Sequence, residues 1–560
     1  MTERIVDPAL KRRSRTYAAV GAALAVVLAV TAFLLLRPGT EQGPAAASAP
    51  GTGAEGSGGT LVYLDAEIIA AGDIRNGTWQ STTLTHNITD RLIHADPETG
   101  ELEPWIAEDW EISEGGLQYT FWIRDGVSFS NGQPLDAGAV QRNLQWQAWG
   151  DPENGIDPNN TFPQVESVEA DEEDQTVTVV LEEPYSPFIK ILSNWASSLV
   201  ADETLELSAE DQQRPENVIG SGPFVVESET YGEEIILTRR KGYSWAPASW
   251  ENQGEAHLEE IHWIPVLEDS ARLGSLRAGE GDLIRYLQPS EEDPLAAEGF
   301  EVIGVQGSGQ TNTWVLRQSV EELQDERVRH AILSGIDREA IVEDLYTDRW
   351  STASSIVTPD TLGYRDQSEK LTYDPERAQR LLDEAGWSEH DDDGIRVNED
   401  GDRLTIRALI DVFDATAAPL FQLIQWQLAE IGVELELVEV DYSNVSTGYS
   451  DESIGIVRTG WPQADSWVRI RNDWHFEGSN ALFLQEPDEQ LNELLEQHSL
   501  VQGSEREEVV GDLQDHLLDN AYVFPVLTDS QIFALQPHVR GLSWTPEARP
   551  VFHSTWIAED

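Results

Sequence analysis

The spacing of apolar positions changes twice between Leu404 and Leu437. Leu404, Ile406, Ala408 and Ile410 recur at every second position, which predicts a strand. From Pro419 to Ile431 the apolar residues fall in a helical stripe that Gly432 ends, and Val433, Leu435 and Leu437 then alternate with Glu434 and Glu436. Strand, helix and strand in that order predict a parallel βαβ unit, and so an α/β chain. Upstream, Asp374 is placed to cap a helix with Pro375 in its first turn and Gly386 as its stop; Ala378, Leu381, Leu382 and Ala385 share its inner face. Leu61–Leu64 predicts an opening strand and Thr176–Leu181 another, while Asp125-Gly126 and Asn131-Gly132 mark turns between short strands.

The first sixty residues follow other rules. Tyr17–Leu36 is an unbroken run of apolar and small residues, about 30 Å long as a helix, the thickness of a bilayer core. The basic segment 1–16 carries Lys11, Arg12, Arg13 and Arg15, which orients the start of the chain toward the cytoplasm and the body outside. Residues 37–59 are rich in Gly, Ala, Ser and Pro and read as a flexible linker. An uncleaved membrane anchor through Tyr17–Leu36 is favoured, because secretory signals have shorter apolar regions. Ala45-Ala-Ala-Ser-Ala49 offers the alternative, cleavage and secretion.

Composition narrows the function. A chain of 560 residues with 40% apolar residues and nineteen tryptophans fills more than one core. Its formal charge of −66 excludes nucleic acid as a partner, since such binding needs Lys and Arg to neutralise phosphates. Lysine occurs only at Lys11, Lys190, Lys241 and Lys370. There is no cysteine, which rules out disulfides, thiol chemistry and lipid attachment through an N-terminal Cys.

An ordered series of short motifs runs along the body. Trp105-Ile-Ala-Glu-Asp-Trp110 is followed by Tyr119-Thr-Phe-Trp-Ile-Arg-Asp-Gly126, Phe129-Ser-Asn-Gly132, Gly220-Ser-Gly-Pro-Phe224 and Arg277-Ala-Gly-Glu-Gly-Asp282. Then come Val328-Arg329, Gly335-Ile-Asp-Arg-Glu-Ala340, Tyr373-Asp-Pro-Glu-Arg-Ala378, Ala385-Gly-Trp387 and Gly460-Trp461. This series resembles the peptide/nickel-type, family 5 solute-binding proteins of ABC importers. The resemblance implies a two-lobed periplasmic-binding-protein-like α/β fold with a cleft between the lobes and an extra small domain. Lobe I would combine 60–100, 216–309 and 528–560, with the extra domain at 101–215 and lobe II at 310–527. It further implies a monomeric receptor, without enzymatic activity or cofactor, that delivers a small solute, a peptide first of all, to an ABC permease and its ATPase subunits. An oligosaccharide or a nickel chelate is the alternative ligand; an extracellular hydrolase and a non-transport sensor are the remaining readings.

The same resemblance points to ligand contacts. In peptide-binding members a Gly-Trp-x-x-Asp places a carboxylate against the ligand's α-amino group; here Asp465 follows Gly460-Trp461 with one extra residue between Trp and Asp. A buried ammonium needs such a fixed anion. Trp461 and Trp467 flank that aspartate, and Trp314 and Asn312 lie where the resemblance puts the crossing between lobes. Indoles there would pack on the solute and the amide would hydrogen-bond it. Arg469 and Arg471 are expected to pair with surface acids, although either suits a ligand carboxylate.

Other motifs carry less. Glu389–Asp400 approximates a calcium loop, but it runs into a strand region instead of a helix and reads as an acidic hairpin. His257 and His262 are five apart, not the spacing of a zinc protease. His86 and His94 are isolated histidines that would serve a nickel chelate or, more simply, the core. Gly51-Thr-Gly-Ala-Glu-Gly56 follows no strand and opens no helix, so it is no dinucleotide site. Neither a Gly-x-Ser-x-Gly elbow nor a phosphate loop is present. No resident metal is expected.

Overall fold

The alternating runs form the two expected strands, Thr405–Asp411 and Glu434–Val440, paired in parallel from Thr405 opposite Glu434 to Asp411 opposite Val440. The Ala417–Glu430 helix joins them. Leu420, Phe421, Ile424 and Leu428 face the sheet, and Trp426 on the far side is 58% exposed. A computed structural model of the chain describes residues 58–67, 82–411, 416–440, 444–460 and 465–558. All belong to the unit Gly53–Asp560. The Tyr17–Leu36 run lies outside the described residues, none of whose helices is long and apolar enough to cross a membrane.

Three sheets organise this unit. A six-stranded sheet runs in the order Ser351–Thr352, Val523–Thr528, Asn312–Leu316, Ile456–Thr459, Thr405–Asp411, Glu434–Val440. Helices cover it, among them Pro375–Glu384, which Asp374 caps by accepting from the Arg377 amide at 2.8 Å. A seven-stranded sheet runs Glu301–Gln306, Ser530–Leu535, Leu283–Arg285, Thr60–Asp65, Glu260–Pro265, Glu234–Arg239, Phe224–Thr230. The opening strand sits at its centre, parallel to both neighbours. The third sheet is antiparallel and local: Ala107–Ile112, Gln118–Ile123, Thr176–Leu181, Val165–Asp171. The Ala137–Trp149 helix, capped by Asp136, packs on it. Each sheet has its own apolar core, with Trp105, Trp263 and Trp314 at most 1% exposed in the four-, seven- and six-stranded units respectively.

Two of the sequence motifs are close-packing devices. In Gly220-Ser-Gly-Pro-Phe224 the two glycines lie against the end of the Thr82–Ile88 helix, and the Gly222 amide donates to the Ile88 carbonyl at 3.0 Å. A Cβ on Gly220 would stand 2.0 Å from the Ile88 oxygen, backbone that cannot yield. Gly220→Ala is therefore expected to cost about 1–3 kcal/mol or more, read as a lowered urea midpoint, whereas Gly254→Ala in an open loop serves as the neutral comparison. The acidic stretch at Glu389 is a hairpin, Glu389–His390 against Arg396–Val397. Asp391 turns it by accepting from the Asp393 and Ile395 amides, and Arg403 pairs with both Asp391 and Asp393.

The seven- and six-stranded sheets are joined by two adjacent crossings: Gln306 to Asn312, and Thr528 to Ser530. The Asn312 side-chain amide donates to Asp529 at 3.1 Å, tying one crossing to the other. Two short, parallel connections of this kind make a hinge, since few backbone torsions separate two separately packed bodies.

Candidate functional site

The site is built where that hinge meets the Ser466–Trp474 helix. The Gln310 amide, on the first crossing, donates to Ser466 Oγ at 3.0 Å, and the Gly309 amide donates to Thr358 Oγ1 at 2.9 Å. Gly460, at the end of its strand, has φ +120° and would place a Cβ 2.0 Å from the Thr311 oxygen, so the strand runs hard against the crossing. A small cavity of about 10 Å³ lies here, lined by Lys190, Ser308, Thr361, Leu362, Asp465, Ser466 and Trp467. Its walls come from three bodies: Lys190 from the segment beside the four-stranded sheet, Ser308 from the crossing, and the remainder from the six-stranded lobe. The volume is below the roughly 300–1,000 Å³ of a complete small-molecule site. It has room for about one water molecule, and residues 461–464 lie outside the described residues.

Asp465 is the N-cap of the Ser466–Trp474 helix, one oxygen accepting from the Trp467 amide at 3.2 Å. Its other oxygen accepts from Arg506 Nη2 at 2.8 Å, with both side chains almost wholly buried. Burial pushes this carboxyl up, but the Arg506 and Lys190 charges and the Arg506 hydrogen bond outweigh it and hold it below its usual value. Arg506 also donates through Nε to the His498 carbonyl at 2.9 Å. His498 is fully buried, and burial, with Arg506 adding to it, lowers its pKa to about 3, so the ring is neutral. The same carbonyl accepts from Ser186 Oγ at 3.1 Å, and the Ser186 amide donates to the Ser499 carbonyl at 2.7 Å. These bonds fasten the Lys190 segment to the six-stranded lobe.

The other expected contacts are placed differently. Trp467 is buried, lines the cavity, and donates its indole N–H to the Leu362 carbonyl at 3.0 Å. Trp314 corrects the sequence expectation: it is a core residue, 1% exposed and stacked on Phe421 at 4.2 Å and 13°. The Asn312–Leu316 strand is buried on both faces, so neither face is left open to a solute. Asn312 likewise serves the hinge through Asp529, although its amide oxygen has no partner among the described residues. Trp461 lies outside the described residues. Arg469 pairs with Asp473, the surface pairing its sequence suggested. His86 and His94 are buried away from this cavity, His86 beside Glu547 at 3.5 Å and His94 edge-on to Trp105. Lys190 and Arg506 were not singled out in the sequence, where only the rarity of lysine gave a signal for the first.

A mixed α/β architecture of two sheet-based lobes, joined by paired crossings with a polar cavity beside them, is that of the two-lobed binding proteins. The chain belongs to family 5 of the bacterial extracellular solute-binding proteins, whose middle-region model matches residues 101–479. Among curated relatives, the glutathione-binding protein GsiB of Salmonella paratyphi A is 26% identical over 362 residues, 64% of this chain. The match spans 65% of that relative's length. Solved structures share the fold. NikA from Brucella suis, determined with Fe(III)-EDTA, superposes with a TM-score of 0.77 at 21% identity over 89% of this chain and 100% of its own. DppA from Helicobacter pylori, determined with the peptide STSA, gives 0.71 at 21% identity over 90% and 99%.

Proposed function

We propose that this chain is the substrate-binding receptor of an ABC importer, capturing a small solute, a peptide foremost, between its lobes and delivering it to a membrane permease. The observation that carries the reading is the pair of short crossings that join two separately packed sheet lobes, in a chain that belongs to a solute-binding family. A solute held between the lobes would contact both bodies at once, so its binding energy would favour the closed form that a permease would recognise. GsiB and DppA bring the peptide class to this chain, since glutathione and STSA are both peptides. NikA supports a metal chelate as a second reading. The receptor would act as a monomer, held at the outer face of the membrane by Tyr17–Leu36.

Native mass spectrometry of the full chain tests this directly. Extra mass that spreads in amino-acid increments and disappears on denaturation is the expected result. A discrete chelate or sugar mass would transfer the receptor to the second class of ligand. Turnover of added peptides, instead of their retention, would overturn the receptor reading.

A further inference from the structure

We propose that the Trp350 indole is a pivot for the two lobes, a second attachment beside the crossings that confines their motion to turning about one axis. This rests on the receptor reading above and deepens it by saying how the lobes close. The loop 346–350 follows the Arg338–Leu345 helix of the six-stranded lobe and leads into its outermost strand, Ser351–Thr352. Trp350 nevertheless packs against the cores of both lobes. It meets the six-stranded core and also the cluster that contains Leu64, Ile284, Leu295 and Ile532 of the seven-stranded lobe. Its indole N–H donates to Glu292 at 3.0 Å, and Thr347 Oγ1 donates to the same carboxylate. Glu292, in the Pro289–Ala297 helix of the seven-stranded lobe, is fully buried. Arg349 lies 3.1 Å from Asp293 and donates through Nε to the Val302 carbonyl at 3.3 Å. Gly304 clears the space for this loop: a Cβ there would stand 2.7 Å from Arg349 Cβ.

Geometry gives this contact its mechanical role. The two crossings run side by side, pinned together through Asn312 and Asp529, and act as one attachment about which two bodies can both bend and twist. A second attachment away from that point leaves a single axis. Trp350 supplies it, because its seat is out of the plane of the crossings: the Pro289–Ala297 helix covers one face of the seven-stranded sheet, with Leu295 against Leu64, Ile284 and Ile532. Gln306 Nε2, where the first crossing begins, donates to Ser351 Oγ at 3.0 Å and keeps the two outermost strands in line. The other contact across the lobes is a seam. The four-stranded unit moves with the seven-stranded lobe, whose Tyr243 and Trp245 belong to its core, and its Ser186 donates to the His498 and Ser499 carbonyls of the six-stranded lobe. The two contacts differ in strength. Stripping donors from a buried carboxylate is costly, because hydrogen bonds to a charge are the stronger kind and no solvent reaches Glu292 to replace them. The seam holds two neutral bonds, with Leu500 beside it 46% exposed, and water replaces such bonds readily. The lobes therefore part at the seam and turn on the Trp350 seat. With fewer open arrangements to lose, closure on a solute gives up less entropy.

The chain has no cysteine, so spin labels attach only where one is introduced. Two pairs at exposed positions of the full chain read the motion: Ala297→Cys with Asp348→Cys across the seat, and Glu114→Cys with Ser504→Cys across the seam. The protein is first stripped of solute, which its native mass verifies, and electron-spin spectroscopy then gives the separations. The seat pair should show one sharp separation, while the seam pair spreads over a range that extends to longer ones. Trp350→Ala should broaden the seat pair as well, and Trp350→Phe, which fills the socket without the N–H, should broaden it less. A seat pair as broad as the seam pair, with Trp350 in place, would overturn the proposal. Two sharp pairs would also overturn it, as would a sharp seat pair that Trp350→Ala leaves unmoved. The comparison of the two pairs keeps Trp350, so it holds even where a variant at that residue fails to fold. The receptor reading is judged separately, by the solute mass that the chain retains, and survives a failure here.

Discussion

Asp465→Ala is expected to cost about 3–5 kcal/mol of folding stability, because it strands the Arg506 guanidinium in a buried position. The pair is 2.8 Å apart, with 6% and 3% of the Arg506 and Asp465 side chains exposed. Loss of the cap to the Trp467 amide adds about 1 kcal/mol. The double variant Asp465→Leu/Arg506→Met should recover most of the loss, since replacing both charges by apolar side chains removes the unpaired group. Urea denaturation of the single and double variants measures this. A ligand-facing aspartate would behave in the opposite way: Asp465→Ala would leave the midpoint in place and abolish solute retention. The two outcomes separate an internal strut from a recognition group.

Acid should unfold this protein well above the carboxylate range. Four histidines, His86, His94, His498 and His553, are buried, with pKa values lowered to about 4, 3, 3 and 4, in each case by burial first. Their unfolded value is 6.5. Between those limits the unfolded chain binds protons that the native chain refuses, so stability is present above 6.5 and is lost as the pH falls through the folded values. Each histidine contributes about 1.4 kcal/mol per pH unit in that window, and the four together about 5 at the steepest. Asp65 and Asp90, pushed up by burial, act in the opposite sense. The urea midpoint should therefore drop steeply from pH 7 to pH 5. His498→Asn, which removes one of the four, should flatten the slope by about a quarter. A flat profile down to pH 5 would show that these rings are protonated in the native state.

What the sequence disclosed and what it hid divide along a physical line. The Pro375–Glu384 helix was legible because its cap, its proline and its stop are neighbours in the chain. The βαβ unit was legible because one face of each element is buried and the period shows it. Trp314 misled because its strand is covered on both sides: a tryptophan near the crossing reads the same whether it faces a cleft or a second layer. The pairing of Asp465 with Arg506 could not be read from the sequence, because that partner is brought in by another helix. No periodicity marks such a pairing.

The strand order of the seven-stranded sheet also dictates a timetable. The four-stranded sheet draws all its strands from Ala107–Leu181 and can be assembled as soon as that stretch has left the ribosome. The six-stranded sheet must wait for Val523–Thr528. Of the three, the sheet that contains the first described strand is the last to close, because Ser530–Leu535 must be inserted between Leu283–Arg285 and Glu301–Gln306. Until then Leu61 and Tyr63, fully buried in the finished molecule, belong to an incomplete lobe. Non-local pairings of this kind fold slowly and expose apolar edges while they wait.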